Sequence, residues 1–123
     1  MKTLLIIGLG GAIGSIFRYL VQVYTGRWIT LSLPWVGTLL VNISGCLLIG
    51  LFYGFSTKYT GITTEWKFFL ITGLCGGYTT FSSISYESIS LFKQGNYLYF
   101  ILYTSLSFVL GLLATAGGAA IAK

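Results

Sequence analysis

One stretch of fifteen residues, 73–87, most constrains what this chain can fold into. It lies inside a hydrophobic run, 66–91, that is long enough to cross a membrane. Gly76 and Gly77 lower helix stability, and the Thr and Ser hydroxyls that follow compete for backbone hydrogen bonds. A backbone that leaves the helix in hydrocarbon must find partners inside the protein or in a water-filled cavity. Because broken helices often direct backbone groups at an ion, the stretch predicts an ion site.

The composition indicates an integral membrane protein. Of 123 residues, 55% are hydrophobic and 7% are charged. The charges form short patches, separated by apolar stretches of about twenty residues, which is the length that spans a bilayer. We therefore predict one all-α transmembrane domain, 1–123, with four spans at approximately 3–24, 35–55, 66–91 and 97–121. The third span is expected to be a broken helix.

The residue inventory argues against an enzyme and against a nucleic-acid partner. The chain has no histidine, and its only carboxylates, Glu65 and Glu87, are too few and too separated for a hydrolytic pair. No base is available to activate a serine as a nucleophile. The net charge of +5 comes from basic residues that are spread along the chain without a cluster.

Two polar side chains in the first two spans each allow two interpretations. Arg18 could snorkel to the interface, or it could line a wet vestibule that gathers anions. Asn42 could form an interhelical hydrogen bond, or it could offer its amide N–H to an anion. Spacing alone favours the hydrogen bond. Gly10 and Gly14, four residues apart, predict a face on which another helix approaches closely.

Polar side chains in the last two spans are also ambiguous. Glu87 could couple transport to protons, pair with Lys93, or be a hydrogen-bonded carboxyl near the interface, which is the simplest role. The fourth span carries a stripe spaced by four residues: Tyr103, Ser107, Gly111 and Thr115. Such hydroxyls often bond the carbonyls of their own helix. Beside a broken helix, however, the stripe indicates a polar track.

The distribution of charge predicts an antiparallel dimer. Four spans place both termini on one side, with Lys2, Lys58, Lys67 and Lys123. The opposite side carries Arg27 and Lys93, with Arg18 near it. Orientation normally follows a clear Lys/Arg excess on the cytoplasmic side, and here there is almost none. A chain that inserts both ways, with few helices to enclose a pore, indicates an antiparallel homodimer whose symmetry duplicates the site.

The first three spans each contain a distinctive motif. The motifs are Gly10-Gly11-x-x-Gly14-x-x-x-Arg18-Tyr19, Gly37-Thr38-x-x-Val41-Asn42-x-x-Gly45 and Gly73-x-x-Gly76-Gly77-x-Thr79-Thr80-Phe81-Ser82. In this order, in a four-span chain of this size, they resemble the Fluc family of small, dual-topology fluoride channels. The resemblance covers essentially the whole chain.

The resemblance implies a passive channel that exports fluoride across a bacterial inner membrane. It implies an antiparallel homodimer in the lipid bilayer, with two separate pores along the dimer interface. Backbone carbonyls of Gly76 and Thr79 from both chains would hold a structural sodium ion, and converging carbonyl oxygens suit a hard cation.

The resemblance also implies which residues form the pore. Asn42 would line it with its amide, and Phe81 would offer fluoride its ring edge, which is the positive part of the aromatic quadrupole. The other pore residues would be Ile84, Ser82, Thr38, Tyr103 and Ser107. The supporting residues would be Arg18 at the aqueous vestibule, and Glu87, Thr80 and Ser83 beside the polar track.

One position departs from the family pattern. After the break that family usually has Phe-Ser-x-Phe, whereas 81–84 here read Phe-Ser-Ser-Ile. Ile84 takes the place of the second phenylalanine, and an aliphatic side chain has no positive edge to offer an anion. Either Phe81, Asn42 and the hydroxyls suffice in a variant pore, or the conductance is impaired.

Two other classes of function remain as alternatives. A proton-coupled exporter of small cations or drugs, of the four-helix dual-topology type, has a similar size. Its chemistry needs an acidic residue deep in the first span, which this chain lacks, so Glu87 would have to serve. A membrane scaffold without transport would explain the glycine-rich faces but not the broken third span.

Overall fold

The computed structural model describes residues 1–28 and 35–122, and every regular element within these ranges is helical. The helices are α1 (Lys2–Trp28), α2 (Trp35–Lys58), α3 (64–78), α4 (Phe81–Lys93) and α5 (Tyr97–Ile121). The predicted all-α class is confirmed.

Three of the described helices are long and apolar enough to cross a membrane: Lys2–Arg27 within α1, Trp35–Lys58 and Tyr97–Ile121. The 24 residues of α2 extend about 36 Å, against about 30 Å of hydrocarbon in a bilayer. Many large apolar side chains of α1 and α5 point away from the protein, including those of Leu4 and Leu112. Such a surface suits contact with lipid, and the chain is therefore a membrane protein.

The third helix changes its hydrogen bonding along its length. Thr63 caps its start, because the Thr63 hydroxyl accepts a hydrogen bond from the Trp66 N–H at 3.3 Å. The helix widens to π-helical hydrogen bonding over Phe68–Cys75 and returns to α-helix over Gly76–Tyr78. Wide turns of this kind are uncommon and occur frequently next to functional sites.

The chain leaves the helix for two residues between α3 and α4. Thr79 has φ −82° and ψ 157°, and Thr80 has φ −149° and ψ 115°, so both are extended. Helix α4 then begins at Phe81. The interruption lies inside the stretch 73–87 that the sequence singles out.

Two pairs of helices pack so closely that only glycine fits between them. A Cβ atom on Gly10 would lie 2.5 Å from the carbonyl oxygen of Phe69, and one on Gly77 would lie 2.5 Å from that of Gly11. Helix α1 therefore packs against α3 with its glycine face, as the spacing of Gly10 and Gly14 predicts. Gly50 and Gly118 allow the same close approach between α2 and α5.

An ion pair joins the beginnings of α1 and α3. Lys2 Nζ lies 3.2 Å from Glu65 Oε1, and both side chains are well exposed. The pair places these two helix starts at the same end of the molecule. Lys123, which the sequence assigns to that side, lies outside the described residues.

Candidate functional site

Asn42 of α2 holds the interruption between α3 and α4. Its Oδ1 accepts a hydrogen bond from the Thr80 N–H at 2.8 Å, and its Nδ2 donates to the Thr80 carbonyl at 3.1 Å. Asn42 is 8% exposed and Thr80 is 7% exposed, so water does not compete for these groups. Asn42 thus makes the interhelical hydrogen bonds that its spacing favours. One amide hydrogen of Nδ2 is not used by Thr80, and its role towards an anion stays a prediction.

Two backbone carbonyls at the interruption lose their helical donors to side chains. A continuous α-helix would pair the Gly76 carbonyl with the Thr80 N–H, which bonds Asn42 instead. It would pair the Thr79 carbonyl with the Ser83 N–H, which donates to Thr80 Oγ1 at 3.2 Å. A helix carbonyl that loses its backbone N–H donor can accept a hydrogen bond from another donor or coordinate a cation. These are the two carbonyls that the resemblance to the Fluc family implies for sodium, and that role stays a prediction.

The side chains at the start of α4 form a capping cluster. Thr80 occupies the N-cap position, and its hydroxyl lies 3.2 Å from the hydroxyls of Ser82 and Ser83. Thr80 and Ser83 therefore stabilise the first turn of α4 and fix where Phe81 begins it. The Phe81 side chain is 80% exposed in the single chain.

A partly buried chain of hydrogen bonds connects four helices. Gln22 Nε2 on α1 donates to Thr38 Oγ1 on α2 at 3.2 Å. Thr38 also interacts with the hydroxyl of Tyr103 on α5, and Tyr103 donates to Glu87 Oε1 on α4 at 2.8 Å. Thr38 and Tyr103 are completely buried. Glu87 is thus a hydrogen-bonded carboxyl, the simplest of its predicted roles.

Aromatic packing fixes the ring of Tyr103. The ring of Trp35 lies 5.4 Å from that of Tyr103 and 6.0 Å from that of Tyr99, in tilted arrangements. Such contacts add to the hydrophobic stabilisation of the pair. The hydroxyl of Tyr103 is therefore held at a defined place between Thr38 and Glu87.

A cleft of about 420 Å³ lies between α4 and α5. Residues three or four apart on α4 line one wall: Phe81, Ile84, Ser85, Ser88 and Ile89. The other wall comes from α5: Thr104, Ser107 and Phe108. The cleft brings together three of the residues that the sequence assigns to the pore, namely Phe81, Ile84 and Ser107.

Two residues of this region are absent from the sequence prediction. Gln22 lies four residues after Arg18, and therefore one turn further along the same face of α1. Ser88 lies four residues after Ile84, and both line the cleft. In the sequence, each of the two residues is marked only by lying four residues after a residue that had been singled out. Arg18 itself is half-buried on α1.

Comparison with known proteins gives one family and many relatives. The family described as "CrcB-like protein, Camphor Resistance (CrcB)" matches residues 5–119. A protein of Flavobacterium psychrophilum named "Fluoride-specific ion channel FluC" is 50% identical over 123 residues, covering 100% of this chain and 98% of that protein. Proteins of the same name from Leptospira interrogans and Bacteroides fragilis are 50% and 45% identical, over 90% and 96% of this chain and 87% and 94% of their own.

Proposed function

The chain belongs to the CrcB-like protein family, and from that premise we propose that it is a fluoride-selective ion channel. The observation that carries the proposal is the similarity, along the whole chain, to proteins named as fluoride-specific channels. That similarity indicates transport rather than catalysis, and it does not favour the proton-coupled exporter. The bacterial relatives support a place in a bacterial inner membrane.

We propose that α3 and α4 together form a further membrane span, giving a four-span, multi-pass protein. The 13 residues of α4 extend about 20 Å, so this helix alone is too short to cross about 30 Å of hydrocarbon. Asn42 supports the proposal because it pairs with both backbone groups of Thr80. An interruption inside the bilayer requires such partners.

We further propose an antiparallel homodimer with a structural sodium ion at its centre. The carbonyls of Gly76 and Thr79 fit this role because both have lost their helical donors. Two oxygens from one chain are too few to replace the hydration shell of a cation, so the site requires a second copy. The carbonyls of Gly76 and Thr79 would hold the ion, and sodium would supply positive charge between the two copies. The nearly balanced Lys and Arg residues support insertion in both orientations.

The proposed pore uses hydrogen-bond donors and one aromatic edge in place of water. Fluoride loses its hydration shell only where protein donors replace it. Asn42 has one amide hydrogen that Thr80 does not use, and Phe81 presents an exposed ring. Other hydroxyls around this path are those of Ser82, Thr38, Tyr103 and Ser107. Arg18 would attract anions at the vestibule.

Fluoride efflux from proteoliposomes tests the proposed function. Vesicles loaded with potassium fluoride, in sodium-containing buffer with valinomycin, would be followed with a fluoride electrode. We expect rapid fluoride efflux from vesicles that contain the protein, and no chloride efflux in a parallel preparation loaded with potassium chloride. Fluoride that stays inside, or chloride that leaves equally fast, would contradict the proposal.

A further inference from the structure

We infer that Tyr78 positions the carbonyls of Gly76 and Thr79 for the proposed cation, through a hydrogen bond to Ser44 on α2. This inference rests on the proposed channel and its sodium site. Tyr78 is the last helical residue of α3 and lies between the two residues whose carbonyls are involved. It acts through the backbone of its neighbours and is therefore a positioning residue.

The hydroxyl of Tyr78 donates a hydrogen bond to the hydroxyl of Ser44. The two oxygens lie 2.9 Å apart. Ser44 Oγ also lies 2.8 Å from the Leu40 carbonyl oxygen and 3.0 Å from the Val41 carbonyl oxygen. A serine hydroxyl has one hydrogen, and these carbonyls, which can only accept, take it. Tyr78 is therefore the donor, and Ser44 fixes the end of its side chain to α2.

The backbone and the ring of Tyr78 are held between two helices. A Cβ on Gly14 would lie 2.9 Å from the backbone nitrogen of Tyr78, so α1 packs directly against this peptide group. A Cβ on Gly45 would lie 3.1 Å from Cδ2 of the Tyr78 ring and would collide with the methyl group of Thr79. Gly45 therefore allows the side chains of Tyr78 and Thr79 to lie against α2.

The hydroxyl is the polar end of a ring in apolar surroundings. Tyr78 lines a cleft of about 270 Å³ together with Phe17, Leu48 and Leu74. A hydroxyl beside such side chains is unfavourable unless it has a hydrogen-bond partner. Ser44 is that partner, so the bond favours one position of the Tyr78 side chain.

Carbonyls next to those of Gly76 and Thr79 already accept hydrogen bonds. The Cys75 carbonyl accepts from both the N–H and the hydroxyl of Thr79, each at 2.9 Å. Ser15 Oγ on α1 donates to the Gly77 carbonyl at 3.5 Å. The carbonyls of Gly76 and Thr79, in contrast, have lost their helical donors to side chains. The chain thus leaves these two oxygens available while it occupies their neighbours.

Thr79 lies between two attachments to α2. Asn42 holds Thr80 on one side with two hydrogen bonds, and Ser44 holds Tyr78 on the other side. A backbone segment held at both ends has less freedom to rotate, so the direction of the Thr79 carbonyl is restricted before a cation binds. Groups that are already in place bind more tightly, because less freedom is lost on binding. Loss of the Tyr78 hydroxyl should therefore weaken cation binding.

Thermal unfolding in detergent at increasing sodium concentration tests the inference. Sodium chloride would replace N-methylglucamine chloride at constant ionic strength, and a cation that binds the folded protein raises the melting temperature. We expect Tyr78→Phe, which keeps the ring, to shift the curve of melting temperature to about fivefold higher sodium, the effect of losing one neutral hydrogen bond. Ser44→Ala removes the other partner and should shift the curve equally.

Two further variants separate positioning from packing. Tyr53→Phe is the matched control, because Tyr53 is a well-exposed tyrosine on the same helix as Ser44. It should leave the sodium dependence unchanged. The double variant Tyr78→Phe/Ser44→Ala should shift the curve no further than either single variant, because both changes remove the same hydrogen bond.

The outcomes distinguish this inference from the functions on which it rests. If Tyr78→Phe lowers the melting temperature equally at every sodium concentration, Tyr78 only packs, and the positioning role is overturned while the sodium site stands. Additive shifts in the double variant would also overturn it. A wild type that sodium does not stabilise would overturn the sodium site together with this inference, whereas fluoride efflux tests the channel separately.

Discussion

The interruption at Thr79 and Thr80 and the cleft between α4 and α5 both place polar groups in apolar surroundings. The two regions differ in whether those polar groups have hydrogen-bond partners. At the interruption, Asn42 pairs with both backbone groups of Thr80. In the cleft, the hydroxyls of Ser88 and Ser107 have no partner within the described residues. Because an unpaired buried polar group is unfavourable, the paired groups stabilise the interruption, whereas the unpaired hydroxyls lower the stability of the packing beside the cleft.

Removing the Asn42 side chain should have the largest effect, because the interruption depends on it. Asn42→Leu leaves the N–H and carbonyl of Thr80 unpaired, and each such group costs about 1–3 kcal/mol. We expect fluoride efflux to fall at least about 100-fold, since 1.4 kcal/mol corresponds to a factor of ten. Efflux and thermal unfolding in detergent, with and without sodium, would be measured.

A matched control for Asn42 is available at Asn96. This residue is exposed, and its side chain bonds only Gln94 among the described contacts. Asn96→Ala should retain both the flux and any stabilisation by sodium. Normal fluoride efflux in Asn42→Leu would show that the interruption does not depend on the hydrogen bonds from Asn42. The difference drawn between the interruption and the cleft would then be contradicted.

The glycine contact beside the interruption should be the next most sensitive position. A Cβ at Gly77 would lie 2.5 Å from the Gly11 carbonyl oxygen, so Gly77→Ala forces α1 and α3 apart. We expect a loss of about 1–3 kcal/mol in the free energy of unfolding, as for other overpacked sites. Gly8→Ala is the control, since nothing lies within 4 Å of its added methyl. It should be stabilising by up to about 1 kcal/mol, which equilibrium unfolding would measure.

Breaking the partly buried hydrogen-bond chain should have an intermediate effect. Tyr103→Phe keeps the ring between Trp35 and its neighbours but removes the hydroxyl that donates to Glu87. Leaving a polar group without its hydrogen-bond partner costs about 1–3 kcal/mol, so we expect efflux to fall about tenfold. Gln22→Leu removes the hydrogen bond from Gln22 to Thr38, at the other end of the chain, and should reduce efflux less. A larger loss of efflux in Gln22→Leu than in Tyr103→Phe would contradict the greater importance given to the hydrogen bond between Tyr103 and Glu87.

Restoring an aromatic residue at position 84 should have the smallest effect and the opposite sign. Ile84→Phe adds a positive ring edge to the cleft, and aromatic contacts of this kind are worth about 0.5–1.5 kcal/mol. We expect fluoride efflux to rise about threefold, in line with that range. Efflux from vesicles of equal protein content would be compared for Ile84→Phe and the wild type. Unchanged or slower efflux in Ile84→Phe would show that an aromatic edge at this position does not assist fluoride.

The sequence predicts the helices well because their signals are local. Apolar runs of membrane length predict α1, α2 and α5. Gly76 and Gly77, which the sequence marks as unfavourable for a helix, remain helical, and the extended residues are Thr79 and Thr80. The close packing of α1 was also predictable, because Gly10 and Gly14 repeat at helical spacing.

Partners across helices could not be predicted from spacing. That Asn42 binds Thr80 depends on the tilt and rotation of α2 relative to α3 and α4, which no spacing within α2 determines. Spacing places Gln22 one turn from Arg18 and Ser88 one turn from Ile84, but it does not show that Gln22 binds Thr38 or that Ser88 lines the cleft. The sequence could mark polar residues in apolar helices but could not say which of them would be paired.

The reversal potential of the current in a planar lipid bilayer most directly tests passive fluoride conduction. A tenfold fluoride gradient, with equal chloride and sodium on both sides, gives a fluoride equilibrium potential of about 59 mV for a single charge. We predict that the current reverses at this potential and that a pH difference across the bilayer does not move it. A reversal potential near zero, or one that follows the pH difference, would contradict a passive fluoride-selective channel.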